Sequence, residues 1–253
     1  MDKLNLSLCV ITLNEEANIQ RCLKSVPFAA DIIVLDSGST DSTKIIAKSL
    51  GARVFEEPWR GYGLQKQRAV DLALFDWVLC LDADEELSSE LQIEIYNLLK
   101  TESSPYFGFS IPRISFHLGR WLAFGGWYPD YQTRLFLKSK FKWSSESVHE
   151  SVIGEKIDKL TFNIKHYPFI SLADQIETNN RYSSLGAETL QKSGKSIVLW
   201  HLIFKPAVKF FELYILKRGF KDGIAGYIIA VGGSYSLFLK YAKLWEMQKL
   251  SVK

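Results

Sequence analysis

Three observations predict an α/β fold with a mostly parallel, Rossmann-like sheet flanked by helices. Between Leu6 and Leu81, apolar runs of strand length alternate with stretches whose apolar residues recur at helical spacing. Several of those runs end abruptly in polar or acidic residues. The 253-residue chain is 47% hydrophobic and 23% charged, which suits a globular protein with a full core.

The elements follow in order. Leu6–Leu13 is a β-rich apolar run, predicted as a buried strand. Asn14 is expected to cap a helix carrying Ile19, Cys22, Leu23 and Val26, ended by Pro27. Ile32–Leu35 reads as the second strand and runs into Asp36-Ser37-Gly38-Ser39-Thr40-Asp41. The helix Ser42–Leu50 stops at Gly51, and Arg53–Phe55 gives a third strand. After Arg60-Gly61-Tyr62-Gly63 comes a helix from about Leu64 to Leu74, then a fourth strand, Trp77–Leu81. This alternation implies right-handed crossovers.

Ligands of such sheets bind beyond the carboxyl ends of the strands. Thr12, Asn14 and Glu15 follow strand one, Asp36 and Ser37 strand two, and Asp82 and Asp84 strand four. Three distant polar clusters are therefore expected on one edge. Asp82 and Asp84, at i and i+2 of an extended segment, face the same way. Two such carboxylates suit a hard divalent cation, Mg²⁺ or Mn²⁺, that also carries substrate phosphates. Alternatively, they are capping acids for a helix Leu87–Lys100. Glu85 and Glu86 read as first-turn acids of that helix. Asp36 is alternatively the opening of an Asx turn, and Asp41 reads as a helix cap. Arg68 is placed to neutralise phosphate, or else lies on a solvated helix face. No Gly-rich dinucleotide or P-loop fingerprint follows strand one, which argues against an oxidoreductase or a P-loop phosphotransferase.

VITLNEE (Val10–Glu16), VLDSGSTDST (Val34–Thr43) and LDADEEL (Leu81–Leu87), in that order and spacing, resemble the inverting GT-A glycosyltransferases of family 2 over roughly residues 5–155. The resemblance implies a nucleotide-diphosphate sugar, with a UDP-sugar first, and a divalent metal at an Asp-x-Asp motif. It implies that Thr12, Leu13 and Glu15 meet the nucleoside, Asp36 the base or ribose, Asp82 the ribose or sugar, and Asp84 the metal, with Asp82 nearby. Many members carry two consecutive acids where this chain has Asp36-Ser37. Further on, His117–Arg120, Gly125–Asp130, Gln132–Phe136, Val148-His149-Glu150 and Arg218–Gly223 are similar to bacterial lipopolysaccharide inner-core transferases that add β-glucose to a heptose.

Phe107–Pro112 and Arg134–Leu137 are predicted to extend the sheet. Phe116–Tyr131 between them is an aromatic loop longer than most connections, suited to stacking on a pyranose or to ordinary packing. Trp127, Tyr128, Arg134 and His149 are expected at the acceptor. Inversion needs a general base for the acceptor hydroxyl. Glu150 stands where the family places it, and Asp130 is second choice. His117, His166 and His201 have no partner identifiable from spacing and take a structural reading. The expected organisation is a donor half over 1–105, an acceptor and base half of the same domain over 106–194, and a basic segment over 195–253.

That last segment holds ten Lys or Arg against three Asp or Glu, a balance of +7, which leaves −4 of the net +3 for residues 1–194. Trp200–Phe220, with a helix expected to start near Pro206, and Ile224–Trp245 read as basic amphipathic helices. They are suited to an inner-membrane surface, or to packing on the protein or on a second copy of a homo-oligomer. No uninterrupted run of about 18 apolar residues occurs, so a transmembrane helix is not predicted. The segment is too apolar to track nucleic acid. Cys9, Cys22 and Cys80 have no metal spacing and read as small buried hydrophobes. With no signal peptide apparent, a cytoplasmic protein is expected. The activity expected is metal-dependent transfer of a hexose to a lipid-linked saccharide. The alternatives are a polyprenyl-phosphate sugar synthase and a non-catalytic sugar or nucleotide scaffold.

Overall fold

The computed structural model describes residues 1–101, 104–144, 150–194 and 199–250. The chain divides into two compact units, Met1–Arg113 with Asp130–His166, and Ile114–Pro129 with Tyr167–Lys253. This partition differs from the expected one. Residues 106–113 and 130–166 belong with the first hundred residues because their strands pair there, and the aromatic loop groups with the C-terminal helices.

The first unit runs β1 (Leu4–Thr12), α1 (Ile19–Lys24), β2 (Ala29–Asp36), α2 (Thr43–Ser49), β3 (Arg53–Glu56), α3 (Tyr62–Asp71) and β4 (Trp77–Asp82). It continues with β5 (Glu85–Leu87), α4 (Ser89–Lys100) and β6 (Gly108–His117), whose last residues pass into the second unit as far as β7 (Arg120–Leu122). Then come β8 (Asp130–Leu137), β9 (Lys142–Trp143), β10 (Val152–Ile153), β11 (Ile157–Lys159) and β12 (Ile164–His166). Strands β3-β2-β1-β4 are parallel; β8 joins β4 and β6 joins β8 antiparallel.

β1 is buried continuously from Leu6 to Thr12, so it reads as an apolar run rather than an alternation. Successive side chains nevertheless go to opposite faces. Leu6, Leu8 and Val10 pack with Ile19, Leu91 and Ile95, whereas Cys9 and Ile11 pack with Ala69, Val70 and Phe136. All three cysteines are free and buried.

Local chemistry moved several boundaries. Asn14 does not cap α1; it takes φ 54°, and its Oδ1 accepts the Thr40 amide at 2.9 Å. The acids before α4 do not cap it either. Ser88 Oγ accepts the Leu91 amide at 3.2 Å, while Glu85–Leu87 forms a strand against β12.

The second unit contains β7, α5 (Leu172–Lys192), α6 (Leu199–Phe211) and α7 (Gly223–Leu250). Pro206 lies inside α6 rather than at its start. A π-helical turn, Glu212–Leu216, and a 3₁₀ turn, Gly219–Asp222, lead into α7. Buried Asp222 accepts the Phe124 amide at 2.9 Å and pairs with Arg120 at 3.2 Å, which fastens the aromatic loop to that turn. One stretch among the described residues, Gly219–Lys249, is helical and by length and composition alone could cross a membrane, with mean hydropathy 1.2 over its most apolar 18 residues. Its apolar residues are punctuated by Gly, Ser and Lys, which hides it from a search for an uninterrupted run.

Candidate functional site

Strand register gathers the polar clusters of the first unit. Thr12 of β1 stands opposite Asp36 of β2, and the preceding residue, Ile11, stands opposite Asp82 of β4. Parallel pairing of β2, β1 and β4 thus puts three carboxyl ends side by side. The Asp36 side chain is fully buried. Its Oδ1 accepts the amides of Gly38 at 2.9 Å and Ser39 at 2.7 Å, and the Ser39 hydroxyl donates to Oδ2. It opens a tight turn while lying at the expected edge. Among the described residues, the Thr12 Oγ1 beside it is buried with no hydrogen-bond partner, as is Gln65 Oε1, although Gln65 Nε2 donates to Ser37 Oγ at 3.2 Å. Leu13 is half exposed, and the Glu15 amide donates to Thr43 Oγ1 at 2.8 Å.

Asp82 belongs to a charge network of the same unit. Arg134 Nη2 lies 2.7 Å from Asp82 Oδ2 and 2.9 Å from Glu85 Oε1. Arg113 joins Glu85 at 2.8 Å to Asp130 at 2.7 Å. Lys66 Nζ is 2.9 Å from both Asp82 Oδ1 and Glu150 Oε1 and sits over the Trp143 ring at 5.1 Å. Buried charges persist only when paired. Burial is the strongest single influence and would push the Asp82 and Glu85 carboxyls up, but Arg134 together with Lys66 and Arg113 at Asp82, and with Arg113 and His166 at Glu85, holds both below the usual carboxylate range. The same two acids hold Arg134 firmly charged against its burial.

Several expectations change here. Arg134, expected at the acceptor, is only 2% exposed and its Nη2 meets both Asp82 and Glu85. Glu85 is no surface first-turn acid but a fully buried member of that network. Arg68 pairs with Glu57 at 2.8 Å. Asp130 is held by Arg113. Trp127 and Tyr128 belong to the second unit, where the Trp127 ring meets Phe169 at 6.4 Å between centroids. His149 lies outside the described residues.

Lys66, Arg113 and His166 were not singled out from the sequence as site residues. For Lys66 a signal existed, because Lys66, Ala69, Val70 and Ala73 share one helical face and a Lys on a buried face demands partners. His166 stands opposite Glu85 across β12 and β5, and its Nε2 lies 3.3 Å from Asp84 Oδ2.

Among the described residues, no group of three or more His, Cys, Asp or Glu is arranged to hold a metal. A cation bound largely through phosphate oxygens needs only one or two protein ligands. Asp84, whose side chain is 24% exposed, supplies a carboxylate oxygen that fits this arrangement, with the His166 imidazole 3.3 Å away beside it. Asp82 fits it less well, since both its oxygens already meet cationic side chains.

The sequence profile described as Glycosyl transferase family 2 matches residues 7–160. The lipopolysaccharide core biosynthesis glycosyltransferase LpsC of Rhizobium meliloti is 32% identical, over 99% of this chain and 96% of its own length. An uncharacterized glycosyltransferase of Rickettsia bellii is 34% identical over 96% of this chain and 86% of that protein. Among solved structures, glucosyl-3-phosphoglycerate synthase from Mycobacterium tuberculosis, complexed with Mn²⁺, UDP and glucosyl-3-phosphoglycerate, is 29% identical with a TM-score of 0.36. That match covers 45% of this chain and 44% of that one.

Proposed function

The chain belongs to glycosyl transferase family 2, and from that premise we propose that it moves a hexose, glucose first, with inversion from a UDP-sugar to a lipid-linked saccharide of the lipopolysaccharide inner core. It is a glycosyltransferase of mixed α/β, GT-A fold. The observation that carries the donor reading is the register placing Thr12, Asp36 and Asp82 side by side at three strand ends. The unpartnered Thr12 Oγ1 and Gln65 Oε1 add polar groups that a nucleoside would satisfy.

Asp84, with His166 beside it, would hold the divalent cation, Mg²⁺ or Mn²⁺. When bound, that cation neutralises charge on the departing diphosphate. Asp82, held by Arg134 and Lys66, would meet the donor's sugars. Glu150 takes the proton from the attacking acceptor hydroxyl, and Lys66 at 2.9 Å fixes the position of its carboxylate. A lipopolysaccharide-core acceptor rests on the likeness to LpsC along nearly the whole length of both chains. Such an acceptor places the protein in the cytoplasm, at the inner-membrane surface.

A donor screen with the purified full chain tests the reading. UDP-sugars in Mn²⁺ are expected to raise the melting temperature more than GDP- or ADP-sugars, and UDP-glucose to support transfer to isolated inner-core lipid. Stabilisation by none of the three donor classes would overturn it.

A further inference from the structure

On α7, the exposed apolar residues Ile224, Tyr227, Val231, Tyr235, Phe238 and Trp245 are between 39% and 80% exposed. At about 100° per residue they fall within an arc of about 80° along the whole helix. Opposite them, Ile229 and Leu244 are buried. α6 carries a comparable exposed row, Trp200, Phe204, Val208 and Phe211. Tyr227 packs edge-on against Phe210 and Tyr214, so aromatic surface continues from one helix to the next.

Charge distinguishes the occupant of this face. Exposed Lys217, Arg218 and Lys221 stand just before α7, and exposed Lys249 stands near its end, on the same arc as the apolar row. Of the three acids from Lys195 onward, Glu212 is paired with Lys209 and Lys217 and Asp222 is buried, which leaves Glu246 exposed near the far end. An apolar row with aromatic residues, basic at both ends, matches an anionic lipid surface.

The other flank of α7 decides how it meets that surface. Lys243 Nζ donates to the Asn180 carbonyl at 2.7 Å and to Ser183 Oγ at 2.8 Å, and Ser236 Oγ to the Asn179 carbonyl at 3.5 Å, so the Ser236–Lys243 part of α7 is tied to α5. α5 exposes Glu177, Arg181, Glu188 and Lys192. Were α7 to cross the bilayer, α5 and these charges would be drawn into hydrocarbon, where they are strongly disfavoured. Only 28% of the most apolar stretch of α7 is buried, so it is not an ordinary core helix either.

We propose that α7, with α6, lies flat in the headgroup region of an anionic membrane, its Ile224–Trp245 row inserted and its α5 side in water. This deepens the membrane-surface location proposed above and makes α7 a monotopic anchor instead of a span.

Flotation of the full chain with phosphatidylcholine vesicles, with and without phosphatidylglycerol, tests it. Binding is expected with phosphatidylglycerol, and Val231→Glu with Phe238→Glu should weaken it at least tenfold. Ile224 is 80% exposed, so Ile224→Glu keeps the fold and gives a second reading in the same direction. A nitroxide on Tyr235→Cys should sit at the headgroup–acyl boundary, about 5–10 Å deep. A nitroxide at the bilayer centre, no flotation of the wild type, or variants that dissociate a dimer while floating normally would each overturn the proposal. Flotation needs no sugar transfer, so its failure leaves the transferase reading intact.

Discussion

Lys66 of α3 and Glu150 form an ion pair of 2.9 Å between residues 84 positions apart. Gly63 makes the approach possible. A Cβ there would collide with the Ser144 carbonyl oxygen and lie 3.4 Å from the Glu150 Cβ. The first turn of α3 is therefore pressed against the backbone that leads to the proposed base.

Gly63→Ala should separate these elements. Since the contact is with backbone, the helix must shift, and core overpacking of this kind costs about 1–3 kcal/mol. We expect a lower melting temperature and, at temperatures where the variant is folded, a fall in kcat with donor binding kept. Unchanged stability and kcat would show that the approach is not tight in solution.

Glu150→Gln removes the proton acceptor while keeping shape. Transfer should fall by roughly 10²- to 10⁴-fold, with UDP-sugar binding by thermal shift preserved. If Asp130→Asn produces that pattern and Glu150→Gln does not, the base is Asp130. Retained transfer in both variants would favour an acceptor that needs no base, such as a lipid phosphate.

Arg134→Met leaves Asp82 and Glu85 without their shared cation. Breaking a buried ion pair from one side typically costs about 3–5 kcal/mol. Urea unfolding should register a loss of that order at neutral pH.

The same variant carries a pH signature. In the wild type both carboxyls are held below their usual range. Their stabilising contribution is therefore complete above the unfolded values, roughly pH 4, and is lost as pH falls through the folded ones. Without Arg134 both buried carboxyls should titrate higher than in the wild type, although Lys66 and Arg113 still face them, so falling pH costs the variant less. The stability gap between wild type and variant is expected to be widest near neutrality and to narrow as pH falls through the variant's higher folded values. A gap independent of pH would mean that lost packing, not charge, explains the damage.

Asp84→Ala should abolish Mn²⁺ binding measured by titration in the presence of UDP, and His166→Ala should weaken it by roughly 10- to 100-fold. Chelation should remove donor stabilisation of the wild type. Equal Mn²⁺ affinity in all three proteins would exclude this pair as the cation site.

Much of the donor side is legible in the chain. Alternating strand and helix signals specify parallel order, and parallel order alone carries Thr12, Asp36 and Asp82 to one edge, because every strand of such a sheet ends on the same side. The sequence by itself therefore determined the fold class, the edge and the acids on it. It did not determine what those acids touch. Lys66, Arg113 and Arg134 reach Asp82, Glu85 and Glu150 across separations of 16 to 84 residues, and no local periodicity encodes such pairings. Burial decided them, since a charge withdrawn from water must find an opposite charge wherever the packed chain supplies one. Tertiary structure likewise turned Arg134 from an acceptor residue into the clamp on Asp82, brought His166 to Asp84, and selected which face of α7 remains uncovered.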